Sequence, residues 1–275
     1  MKQLQLFIAA LSALFLLGCA KNNPSEPTDP VIPPDDYQLV WSDEFNYHGL
    51  PDDSKWSYDV GGDGWGNSEA QYYTNARLQN SEVKAGYLYI NAIKEDFEGK
   101  KYTSARLVTR TKGDWTYGRI EVRAKLPEGI GMWPAIWMMP TDRTYGGWPV
   151  SGEIDIMENL GYLPYLIVAT AQTQTYNIVQ ETHKNAIIAI LDCYSEFHNY
   201  ILEWEDSEIR VYVDSRLYFT FKNQGTGFQV WPFDKRFHLL LNVAVGGTFG
   251  GPQGIDDRIF PQSMVVDYVR VYQKK

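Results

Sequence analysis

Short runs of β-branched and aromatic residues, each closed off by glycine, proline or asparagine, recur along most of this chain. The clearest are YLYINAI at 87–93, GRIEVRA at 118–124, EIRVYVD at 208–214 and VVDYVRVY at 265–272. Several alternate with period two, the spacing at which successive side chains point to opposite faces of a strand. Turn-forming clusters at 60–67, 127–131 and 246–254 punctuate them. No stretch carries the apolar stripe of a three-turn amphipathic helix; 186–191 is apolar but short and isoleucine-rich. Many short strands without crossover helices argue against a parallel α/β sheet and predict an all-β sandwich of two antiparallel sheets.

The start of the chain speaks to compartment rather than fold. Lys2 precedes an apolar run at 6–17, broken only by Ser12, which is too short to span a bilayer and has the length of a secretory core. It ends in Leu16-Leu17-Gly18-Cys19, which resembles a bacterial lipobox with Cys19 as the lipidated first residue; an ordinary signal peptide with a chance cysteine is the plainer alternative. Residues 21–36, KNNPSEPTDPVIPPDD, bury nothing and read as an extended tether. The expected organisation is a signal peptide at 1–18, a tether at 19–36 and one folded domain at 37–275, held to the bacterial cell envelope by its lipid alone.

Cys193 is the other cysteine of two, so no disulfide framework is expected, and a small buried side chain is its expected role. A net charge of −9 without a basic cluster argues against nucleic acid as a partner. Nine tryptophans and nineteen tyrosines suit the flat faces of sugar rings, although strands and cores also favour aromatics.

The segment GEIDIMEN at 152–159 concentrates the chemistry. On a strand, Glu153 and Asp155 share a face, whereas Glu158, five positions on from Glu153, falls on the other. One bulged residue would restore the phase and put all three acids on one side. The backbone still separates the two glutamates by roughly 13 Å, so their side chains must lean together to reach the ~5–5.5 Å of a retaining glycosidase pair. Carboxylates that close repel, leaving one of them protonated near neutral pH. A solvated acidic face or a calcium loop would also explain three acids in eight residues. Against both stand Ile154, Ile156 and Met157 between the acids and Trp133, Trp137 and Trp148 upstream.

With these residues placed, the chain resembles glycoside hydrolase family 16, and within it the laminarinase-like endo-β-1,3-glucanases. The resemblance runs from Leu39 to Tyr272 through WSDEF at 41–45, GWGNSEAQYYT at 64–74, GMWPAIWMMP at 131–140, WPFD at 231–234, NVAVGG at 242–247 and VDYVRVY at 266–272. It implies a β-jelly-roll sandwich with an open concave cleft, and a retaining endo-hydrolase of β-1,3- or mixed β-1,3/1,4-glucan. The family's E-x-D-x-x-E motif falls on Glu153 as nucleophile, Asp155 as assisting acid and Glu158 as acid/base, with no cofactor in catalysis. Asn67, Arg106, Trp133 and Trp137 match sugar-contacting positions; Trp133 and Asn67 read as the more exposed, and Trp137 could equally pack in the core. The resemblance also implies a structural calcium away from the cleft, with Glu44, the backbone of Gly86 and Asp267 as ligands. A monomer is expected.

The chain departs from that pattern in one informative place. Where the family usually reads G-T-x-H-T after the catalytic strand, this chain reads ATAQT at 169–173. Gln172 therefore stands in the place of a histidine expected beside the acid/base, at a neighbouring sugar subsite, and it cannot titrate. Ile178 replaces a second frequent histidine, and Phe249 a tryptophan. His48, His183, His198 and His238 show no metal-ligand spacing, and the last two are expected to be packed structurally. Two other functions stay open on the residues alone: hydrolysis of red-algal galactan, and a non-catalytic surface protein that binds glycan.

Overall fold

The structure, a computed structural model, describes residues 35–275. The expected signal peptide, Cys19 and nearly all of the expected tether lie outside the described residues. Within them the strands are β1 Tyr37–Asp43, β2 Ser57–Tyr58, β3 Gln71–Tyr73, β4 Ser81–Lys84, β5 Tyr87–Phe97, β6 Lys100–Ser104, β7 Arg106–Val108, β8 Asp114–Trp115 and β9 Gly118–Lys125. The second half supplies β10 Met132–Pro140, β11 Glu153–Asn159, β12 Leu166–Gln172, β13 Lys184–Ala189, β14 His198–Trp204, β15 Glu208–Val213, β16 Arg216–Lys222, β17 Phe237–Val245 and β18 Gln262–Lys274. Helix is confined to one turn at Gly247–Gly250 and a 3-10 turn at Asp257–Ile259, and no helix among the described residues is long and apolar enough to cross a membrane.

The strands form two sheets, antiparallel except where β3 runs parallel to β6. One has ten strands in the order β16-β15-β14-β9-β18-β5-β6-β3, with β1 on β18 and β4 on β5. The other has eight, in the order β13-β12-β11-β10-β17-β7-β2, with β8 on β17. This is the all-β sandwich that the strand signals predict. Its core lies between the sheets, and period-two patterning builds it. β5 buries Leu88, Ile90 and Ala92 completely, and β9 does the same with Ile120, Val122 and Ala124. β17, a central strand between β10 and β7, is buried along its whole length, which fits how little FHLLLNVAV alternates.

Cys193 is free and fully buried, and burial pushes its thiol up to about 12, far from the reactive range. His198 is clamped between Asp192 and Asp214. His238 is buried beside Thr141 and Arg110. Both histidines are structural, as expected.

Candidate active site

β11 lies between β10 and β12, so its outward residues face neighbours on both sides. Glu153 pairs with Gln172 and Asp155 with Thr170 on β12, while Ile154 pairs with Met138 and Asp155 with Trp137 on β10. The register then slips: Met157 stands opposite Ile136, and Glu158 opposite Ala135. Ile156 is thus the extra residue of a β-bulge, and both Ile156 and Met157 turn into the core. Those two consecutive inward residues restore the phase, so Glu153, Asp155 and Glu158 share the outer face of the eight-stranded sheet. The bulge that the spacing calls for is present. Tyr218 braces it from the opposite sheet, its hydroxyl donating to the Ile156 carbonyl at 3.0 Å. Upstream, Gly152 enters the strand at φ +87°, and a Cβ there would come within 2.8 Å of Pro232, so a larger residue would displace Glu153.

Each acid has a different set of partners. Glu153 accepts two hydrogen bonds, from the Trp148 indole (2.9 Å) and the Gln172 amide (2.8 Å). Glu158 accepts one, from the Trp133 indole at 2.9 Å. Asp155 has a buried oxygen, Oδ2, with no protein partner. Burial drives all three carboxyls upward, Glu153 and Glu158 to about 7 and Asp155 well above its ordinary value. The opposing influences separate the glutamates. Two donors and the Arg106 charge favour the Glu153 anion; one donor helps the Glu158 anion, while the Glu153 charge opposes it. The arrangement therefore keeps an anion on Glu153 and protons on Glu158 and Asp155.

Around the acids, Arg106 is sandwiched between Trp65 and Trp137 at 4.7 and 4.6 Å and paired with Asp59 at 3.2 Å. The Trp137 indole donates to Asn242 at 2.7 Å, and Asn67 turns its amide to the buried Glu69. Two expectations need correction. Trp133, expected to be exposed, is only 9% exposed, because it packs edge-on against Phe249 and spends its N–H on Glu158. Trp137 is the more open indole. Gln172, expected beside the acid/base, lies instead on Glu153. Its carbonyl accepts from the Ile178 backbone at 3.1 Å, which fixes the amide orientation so that its NH2 faces the nucleophile position.

The expected calcium ligands meet at one corner, since Asp43 pairs with Val269 and Leu88 with Val266. Their charges are committed elsewhere. Glu44 takes a bidentate pair from Arg270 at 2.9 and 2.8 Å, and Asp267 pairs with Arg123. No group of three or more His, Cys, Asp or Glu among the described residues could hold a metal. The donor set as arranged does not fit a hard cation.

Two contributors were not assigned from sequence. Trp148 appeared only as aromatic context, and nothing in its spacing marks it as a donor to Glu153. Tyr218 lies on the other sheet, 62 positions from the carbonyl it supports, and carries no local signal at all.

Residues 65–270 match the Glycosyl hydrolases family 16. A β-glucanase from Rhodothermus marinus is 53% identical over 244 residues, which is 86% of this chain and 85% of that protein. The solved laminarinase from Rhodothermus marinus superposes with a TM-score of 0.86 at 52% identity, covering 87% of this chain and 98% of that one. A variant of a non-specific endo-β-1,3(4)-glucanase of the same family, co-crystallised with 1,3-β-D-cellotriosyl-glucose, gives a TM-score of 0.85 at 45% identity, with 90% and 98% covered.

Proposed function

The chain belongs to glycosyl hydrolase family 16, and from that premise we propose that it is a retaining endo-hydrolase of β-1,3- or mixed β-1,3/1,4-glucan. The observation that carries the mechanism is the unequal treatment of the two glutamates on one bulged strand. Glu153, held as an anion by two N–H donors, attacks the anomeric carbon. Glu158, still protonated, delivers its proton to the departing glycosidic oxygen. A covalent glycosyl-enzyme results, and water, deprotonated by Glu158, releases it with retained configuration. Asp155 is a positioning acid: protonated between the two, it relieves repulsion and offers Glu153 a neutral neighbour as charge leaves that carboxylate.

Trp137, Arg106 and Asn67 line the substrate side, and Gln172 orients Glu153. The uncharged glucan suits a site where the cation beside the acids, Arg106, is already paired with Asp59. The full chain is proposed to act as a monomer on the bacterial envelope, with Cys19 lipidated at the head of the 19–36 tether; the support is the lipobox-like sequence and the proline-rich composition.

Reducing-sugar release from laminarin, lichenan and agarose, with Glu153→Gln as control, tests the activity. Release from the two glucans by the wild type alone is expected. Release from agarose alone would replace the substrate, and binding without turnover would replace the enzyme with a glycan-binding protein. Inverted product in a stereochemical assay would remove the two-step mechanism.

A further inference from the structure

The polar groups on the outer face of the eight-stranded sheet form a row that crosses the strands. Gln172 on β12 pairs with Glu153 on β11, and Asp155 with Trp137 on β10. Trp137 hydrogen-bonds Asn242 on β17, which pairs with Arg106 on β7. The Arg106 carbonyl then accepts from the Asp59 backbone, one residue beyond edge strand β2. A chain laid along this row leaves the sheet at Asp59. The next residue, Val60, is 44% exposed and lines an open depression of about 550 Å³ outside the row. The loop between them serves both: Trp65 faces the row over Arg106, while Gly62 lies so close to Tyr72 that a Cβ would come within 2.8 Å of its ring.

The lining of the depression is amphipathic. Leu50 and Leu78 join Val60 as an exposed apolar floor, and Tyr72 and Phe97 lock edge to face beside it at 5.3 Å. Arg77 lies over Phe97 but is already neutralised by Glu95. Asn75 and Gln79, both exposed, put amides on the rim. Apolar floor, amide rim and paired charge match a neutral polyhydroxylated chain, whose rings have apolar faces and hydroxyl edges, better than an anion. The volume falls within the ~300–1,000 Å³ of small-ligand sites.

We propose that this depression is a distal sugar-binding site, which holds the part of a β-glucan strand that runs past the edge of the sheet and is reached only by polymers long enough to span both. This rests on the glucan reading above. The test substitutes Val60→Asp and Leu78→Asp together, two exposed positions outside the catalytic row. KM for laminarin should rise about five- to tenfold, with kcat unchanged and the kinetics on a short β-1,3-gluco-oligosaccharide unmoved. Retardation of the Glu153→Gln protein in a native gel containing laminarin should weaken when the pair is added, and this readout needs no turnover. An unchanged polymer KM and unchanged retardation would overturn the site, as would an equal loss on the short substrate. If the wild type cuts no glucan, the catalytic reading fails alone, provided that retardation is seen and the pair weakens it; no retardation at all overturns the distal site too.

Discussion

On the outer face of the ten-stranded sheet, Arg119 sits between Glu121 and Glu203 at 2.6 Å from each, all three largely buried. On the outer face of the eight-stranded sheet, Glu153, Asp155 and Glu158 crowd onto one strand, and their bonds come from indole and amide N–H groups. Burial lifts the Glu121 carboxyl too, but Arg119 and Arg270 pull against it. No ion pair among the described residues does this for the three acids of β11. Pairing with a guanidinium makes a buried carboxylate a structural element, whereas neutral donors leave it able to take and give a proton near pH 7.

The sharpest test of that contrast is Glu153→Gln, which should lower kcat by about four orders of magnitude while leaving the urea midpoint within error or raising it. The mirror experiment is Arg119→Met. It should leave kcat alone and cost about 3 kcal/mol of unfolding free energy, because Glu121 and Glu203 lose their shared cation; a kinetic effect without a stability effect would break the comparison.

Asp155→Asn combines both readouts. The folded pKa of each of the three acids is raised, so the protein binds more protons folded than unfolded, and its stability should fall as pH rises from about 4 through 7. Removing Asp155 from that balance should raise Tm at pH 7.5 by about 3 °C, with less gain at pH 4. A rate loss of about 10- to 100-fold should accompany it.

The smallest expected effect concerns Gln172. The kcat/KM profile of the wild type should be a narrow bell near pH 7, lost on the acid side as Glu153 gains a proton and on the basic side as Glu158 loses one. Gln172→His would place a cation beside Glu153 below the histidine pKa, favouring its anion. The acid limb should then move down by about half a unit. An acid limb that stayed put would mean that Gln172 only orients the nucleophile.

The all-β class and the need for a bulge were legible from the chain, because period-two alternation and the count of positions between Glu153 and Glu158 are local properties. Exposure was not. Trp133 and Trp137 occupy equivalent positions on β10, and nothing local says that Phe249 closes over one while the other stays open. The partner of Gln172 was also misread, since adjacency across two strands depends on their register, which sets Gln172 opposite Glu153 and Val168 opposite Glu158.

Sequence alone thus determined which residues could do the chemistry and what backbone irregularity they require. Only the tertiary structure decided which acid holds the proton. That assignment depends on three indoles and amides reaching β11 from residues 133, 148 and 172. It depends also on a tyrosine from the opposite sheet bracing the bulge. Hydrogen-bond donors and desolvation act through space over a few ångströms, and the chain records spacing only along its own length.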